Sequence, residues 1–122
     1  MSQITVENIK RSTETASRST RGVAAAWVNF NGTGTVAVRD SENVSSLTDD
    51  ATGLYSIGLS NNMGNSNYSL SVASRQNTNA ADIYVRYDPA PSVSSFTVEY
   101  VLPGTSRYDV DFIYATAHGD LA

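Results

Sequence analysis

The sequence predicts an all-β protein: an antiparallel β-sandwich or jelly roll of about eight strands, preceded by an extended N-terminal arm. Three observations carry that expectation. Apolar and polar residues alternate with a period of two in short runs along most of the chain. Clusters of Gly, Pro, Asn and Asp separate those runs at roughly every 8 to 14 residues. No segment sustains the 3.6-residue apolar period of an amphipathic helix, so helix content should be near zero.

The elements follow in order. Residues 3–9 (QITVENI) alternate through Ile4 and Val6 and read as a short strand. Residues 10–22 (KRSTETASRSTRG) contain no large apolar side chain and cannot hold themselves in a core, so residues 1–22 form an arm or anchor and 23–122 the sandwich domain. Val23–Phe30 is apolar and ends at Asn31-Gly32, a strong hairpin signal because both residues tolerate positive φ. Thr35–Val38 returns, with Val36 and Val38 on one face. Val44–Thr48 is a short strand, Asp49–Gly53 a turn, and Leu54–Ser60 places Tyr55, Ile57 and Leu59 together. After the polar loop Asn61–Asn67, Tyr68–Ala73 directs Tyr68, Leu70 and Val72 inward. Gln76–Ala81 is a second loop, and Ile83–Tyr87 is apolar on both faces. Phe96–Leu102 alternates through Phe96, Val98, Tyr100 and Leu102, Pro103-Gly104 turns the chain, and Val110–Ala117 groups Val110, Phe112 and Tyr114 on one face.

Composition narrows the function. A chain of 122 residues suits one domain. Charged residues are 16%, below the usual quarter or so, which suits a surface partly covered by partners or kept polar by Ser, Thr and Asn. The net charge of −4 is unevenly placed. Residues 1–22 carry Lys10, Arg11, Arg18 and Arg21 against Glu7 and Glu14, a net of +2. The remainder carries four arginines against ten acids, a net of −6. The four basic residues therefore mark an anchor arm for an acidic partner, while the acidic body argues against nucleic-acid binding. No cysteine is present, which excludes disulfides and thiolate metal sites. No apolar run is long enough for a helical membrane span. The first residues lack the basic start and apolar core of a signal peptide, so folding in a cytoplasm is expected.

Little in the chain points to catalysis. His118 is the single histidine and has no nucleophile beside it in sequence. Asp109 and Asp111 are two apart in an expected strand and share a face, as calcium ligands or as a solvated edge. Asp49 and Asp50 suit a turn. Asn31-Gly32-Thr33-Gly34 is followed by a strand, not by the helix that a phosphate loop requires. No catalytic, cofactor or metal residue is therefore assigned. Among the seven tyrosines, Tyr55, Tyr68, Tyr100 and Tyr114 fall in apolar registers. Tyr84 and Tyr87 sit on a strand apolar on both faces and are the candidates for a subunit interface.

From Trp27 the sequence resembles a known module. WVNFNGTGTVAVRDS (27–41) continues into NVSSLTD (43–49), TGLYSI (52–57) and the stretch from Met63 to Tyr68. The opening QITVENI (3–9) and the closing AHGD (117–120) are similar to the same family's ends. The family is that of tailed-bacteriophage and prophage virion proteins, tail-fibre-like and other small structural proteins. The resemblance covers most of the chain and is most specific over residues 26–68. It implies a β-sandwich that assembles as a homo-oligomer, often a trimer, on a virion. Fibres carry a long shaft and this chain has only 22 residues before its body, so a short fibre or spike is expected, with a capsid decoration protein as the alternative. The implied partners are sister copies and other virion proteins of capsid or tail. A separate reading of the residues is a binding tip for a host surface receptor or a glycan, with recognition in the polar loops 61–67 and 76–81. No cofactor is implied.

Overall fold

The structure is a computed structural model and describes residues 2–10, 12–75, 81–102, 104 and 106–122. Ten strands form in chain order: β1 Asn8–Ile9, β2 Arg18–Ser19, β3 Ala26–Asn31, β4 Ala37–Glu42, β5 Val44–Ala51, β6 Leu54–Leu59, β7 Ser69–Ser74, β8 Asp82–Val85, β9 Ser95–Val101 and β10 Ile113–His118. β1 and β2 make a small ribbon within the arm, and a 3-10 turn follows at Thr20–Gly22. The other eight form two antiparallel sheets, ordered β4-β3-β10-β7 and β5-β6-β9-β8. The expected all-β sandwich is thus the observed architecture.

The sheets face each other because alternation gives each central strand one apolar side. Ala26, Val28 and Phe30 of β3 and Ile113, Ala115 and Ala117 of β10 are buried from one sheet. Tyr55, Ile57 and Leu59 of β6 and Phe96, Val98 and Tyr100 of β9 are buried from the other. Phe30 meets Tyr55 edge-on, with ring centroids 5.2 Å apart and an interplanar angle of 69°. The first crossing between the sheets is a one-residue corner at Asn43, whose φ of +57° joins β4 directly to β5. Asparagine tolerates this left-handed backbone, and its side chain fixes the corner. Asn43 Nδ2 donates to the carbonyls of Ala25 (3.1 Å) and Asn61 (3.2 Å), and its Oδ1 accepts from Asn61 N (2.7 Å).

Four details depart from the sequence expectation. Asn31-Gly32 is not the tight turn. β3 runs through Asn31, whose Oδ1 accepts from Thr33 N and Oγ1 at 3.1 and 2.7 Å, and the positive φ falls at Gly34. Gly32 is needed for closeness instead, since a Cβ there would lie 2.5 Å from Tyr55 Oη. The last strand has the opposite parity. Val110 is buried as expected, but β10 begins only at Ile113, and from there Ile113, Ala115 and Ala117 point inward while Phe112 and Tyr114 lie outside. A shift of one residue exchanges the two faces of a strand. β8 ends at Val85, leaving Tyr87 in the connection to β9. In the arm, the pairing strand is Asn8–Ile9, not the Ile4–Val6 stretch.

Candidate functional site

The registers give the sandwich two distinct poles. β3 and β5 start, and β4, β6 and β10 end, at the pole from which both chain ends leave. The connections 60–68 and 86–94 lie at this terminal pole, and the turns 32–36 and 52–53 at the other. The terminal pole is cross-braced. Met63 N donates to Val93 O at 2.8 Å, Gly64 N to Asp120 O at 2.8 Å and Ala122 N to Asn62 O at 2.9 Å. Tyr68 Oη donates to Ser92 O at 2.8 Å.

Exposed apolar side chains concentrate there. Of the eleven large hydrophobic residues that are exposed among the described residues, seven belong to this pole or to the arm: Ile4, Val6, Ile9, Val23, Tyr87, Val93 and Leu121. Tyr87 is 92% and Ile4 88% exposed. Isolated exposed apolar residues are ordinary on any protein, but their uneven placement makes this end and its arm the more apolar part of the surface.

The arm is rooted beside this pole. Glu7 O accepts from Thr20 N at 2.8 Å and from Thr20 Oγ1 at 3.0 Å. Lys10 Nζ donates to Glu14 O at 3.4 Å, and Arg18 pairs with Glu14. Arg21 Nε reaches Asp120 Oδ1 at 3.0 Å. Arg11 lies outside the described residues. The structure therefore brings Lys10 and Arg18 onto the arm itself and Arg21 onto the body. These pairs are exposed, and pairs of that kind contribute only about 0–1 kcal/mol, leaving the cations free to change partner.

Tyr84 and Tyr87 are placed differently from each other. Tyr84 is 51% exposed on the outer face of β8, and its hydroxyl donates to Asp82 Oδ2 at 3.2 Å. The Asp82 charge raises the Tyr84 hydroxyl above its ordinary pKa. Opposite Tyr84 stands Glu99, which accepts from Arg86 (3.0 Å) and Arg107 (3.2 Å). Tyr87 belongs to the terminal pole.

A third surface was not foreseen. On the outer face of the first sheet the Arg39 guanidinium lies 3.7 Å from the Phe112 ring centroid and that of Arg75 lies 4.4 Å away. Tyr114 stacks on Phe112 at 6.3 Å, and Arg75 pairs with Asp111. The inverted parity of β10 hid this group, since in the expected register both rings would be core. Asp109 is separate from Asp111 in role. Its Oδ1 accepts from Gly53 N at 2.8 Å and from Tyr55 Oη at 3.0 Å, and so ties the turns of the opposite pole together. Burial first, and then Asp109, raises the pKa of the Tyr55 hydroxyl.

Among the described residues no three His, Asp or Glu side chains converge as metal ligands, and no helix is long and apolar enough to cross a membrane. Comparison with protein-family models, with curated proteins and with solved structures finds no match for this chain.

Proposed function

We propose that this chain is a structural protein of a tailed-phage virion, short fibre- or spike-like and oligomeric, attached through its terminal pole and displaying the opposite pole. The observation that carries the reading is the polarity of the surface: arm, both chain ends and most exposed apolar side chains share one end. Burying those side chains against partners releases about 25 cal/mol per Å² of apolar surface, which favours permanent assembly. The basic arm adds attraction to acidic neighbours.

The roles of the motif residues support the same reading. Asn31 closes a turn, Asn43 fixes the corner between sheets, Tyr55 and Tyr68 bond across the molecule, and Met63 is buried against the terminal pole. The stretch that resembles the virion family is thus an architectural module, as a non-enzymatic building block requires. The activity is mechanical: assembly, attachment and presentation, with no covalent step.

Sedimentation of the purified protein at micromolar concentration should give one defined oligomer, a trimer in the favoured form. A clean monomer would count against the fibre-like reading and move weight to the capsid decoration protein, which associates only on its lattice. Copy number per particle separates the two: hundreds for decoration of a capsid, far fewer for a tail structure.

A further inference from the structure

Two open sheets leave four edge strands, and each edge exposes unpaired backbone groups that invite further pairing unless blunted. Three of the four are blunted. β4 carries Arg39, Asp40 and Glu42 and pairs with β3 through a register shift. β5 carries Asp49 and Asp50 and is broken by shifts near both ends. β8 is only four residues long and begins with Asp82. β7 has none of these devices. Ser69–Ser74 holds no charge and no proline, and its register against β10 is unbroken. Its outer edge has no strand partner among the described residues. Leu70 and Val72 are only partly buried, and a groove lined by Val72, Ala73, Ser74, Ala81, Asp82 and Ile83 opens beside the strand, between the two sheets.

The chain also contains a strand former without a strand. Gln3–Glu7 alternates Ile4 and Val6 with polar neighbours, and three of its five residues are β-branched. In the folded monomer it pairs with nothing among the described strands, and Ile4 stands almost fully in solvent. The segment is tied at its end, where Glu7 O meets Thr20.

We infer that Gln3–Glu7 of one copy adds as a fifth strand to the outer edge of β7 in a second copy. Ile4 and Val6 then cover Leu70, Val72 and the open seam, and backbone bonds satisfy the unblunted edge. A second copy is the fitting occupant on charge: residues 10–22, which follow the added strand, carry Lys10, Arg11, Arg18 and Arg21 against Glu14 and meet a body of net −6, whereas two bodies repel. Donor and acceptor surfaces differ, so the contact is heterologous and closes into a ring in which each copy gives one strand and receives one. This inference rests on the oligomeric reading above and assigns its contact.

The chain has no cysteine, so introduced pairs report without background. Thr5 would project outward beside Ser69, Ser71 or Ala73, which alternate with Leu70 and Val72. Full-length Thr5→Cys protein, co-expressed with a differently tagged Ser69→Cys, Ser71→Cys or Ala73→Cys partner, should form a mixed disulfide at one of the three positions. It should form none with Ser46→Cys on β5. The variant Ile4→Asp/Val6→Asp should lose the oligomer in mass photometry while keeping the β-sheet circular dichroism of the wild type. An oligomer that survives this variant and forms no mixed disulfide overturns the inference and leaves the oligomeric proposal standing. A disulfide formed only within one chain carrying both Thr5→Cys and Ser71→Cys overturns the choice of a second copy. A wild-type protein that is monomeric removes the oligomeric reading itself.

Discussion

Tyr55→Phe tests the link between the two sheets at the pole away from the chain ends. The residue is fully buried, and its ring lies 5.2 Å from Phe30 in an edge-on contact. Phenylalanine keeps the ring and removes only the hydroxyl, which sits 2.8 Å from Gly32 O and 3.0 Å from Asp109 Oδ1. A net hydrogen bond is worth about 1 kcal/mol, and one to a charged group about 1.5–3 kcal/mol. One hydroxyl hydrogen serves two acceptors here, so a loss of about 2 kcal/mol is expected, as an order of magnitude. For a chain of this size that corresponds to a fall in Tm of roughly 8 °C. Tyr55→Ala also empties ring volume and should cost about 3–5 kcal/mol. Chemical denaturation of Tyr55→Phe, Asp109→Ala and the double variant completes the test. The two changes should be non-additive by about 1 kcal/mol, because they remove the same contact. If Tyr55→Phe lies within about 0.5 kcal/mol of wild type, the hydroxyl contributes nothing and the proposed tie between sheets is wrong.

Three further outcomes are expected. Burial and Asp109 raise the Tyr55 hydroxyl above its ordinary value of 10.0, and burial does the same at Tyr68, so the folded state holds protons that the unfolded chain releases. Stability from these groups is complete below pH 10 and is lost as pH rises beyond it; denaturation midpoints should fall there, and less steeply in Tyr55→Phe, and an unchanged slope would contradict this. Asn43→Ala should cost about 2–4 kcal/mol by losing the corner bonds and straining a backbone at positive φ, and Asn43→Gly should cost less by sparing the strain; a glycine variant as stable as wild type would show that the side chain does not hold the corner. Phe112→Ala removes the ring shared by Arg39 and Arg75 and should cost about 1–2 kcal/mol, with faster guanidinium exchange by NMR at both arginines; unchanged arginine signals would rule out the stack.

Most of the fold was legible because alternation specifies a half-buried strand directly. All eight expected body strands are present, with ends shifted by a few residues. Tyr55, Ile57 and Leu59, and equally Phe96, Val98 and Tyr100, point inward as their pattern requires. The pattern fails where both faces are apolar. Val110–Ala117 offers Phe112 and Tyr114 on one parity and Ile113, Ala115 and Ala117 on the other, and only the space left by the facing sheet selects the smaller set. Asn31-Gly32 misled for a local reason: the Asn31 side chain, not its backbone, makes the turn. The polarity of the surface was invisible in sequence, since Val23, Tyr87, Val93 and Leu121 are brought to one pole only by the strand order.

The meeting of both chain ends at one pole also makes the body a closed circuit. Ala25 N donates to Ala117 O at 2.8 Å, and Arg21 reaches Asp120 at 3.0 Å, so the segments leading into β3 and out of β10 are already neighbours. The eight-strand path therefore returns to where it began, and for the sandwich the opening between β10 and β3 is one cut among several. A short peptide joining residues 122 and 23, with new ends at Gly34, would break no strand pairing; that glycine lies at φ +59° with nothing within 4 Å of an added Cβ. Such a circular permutant should fold to the same sheets while moving its ends to the far pole.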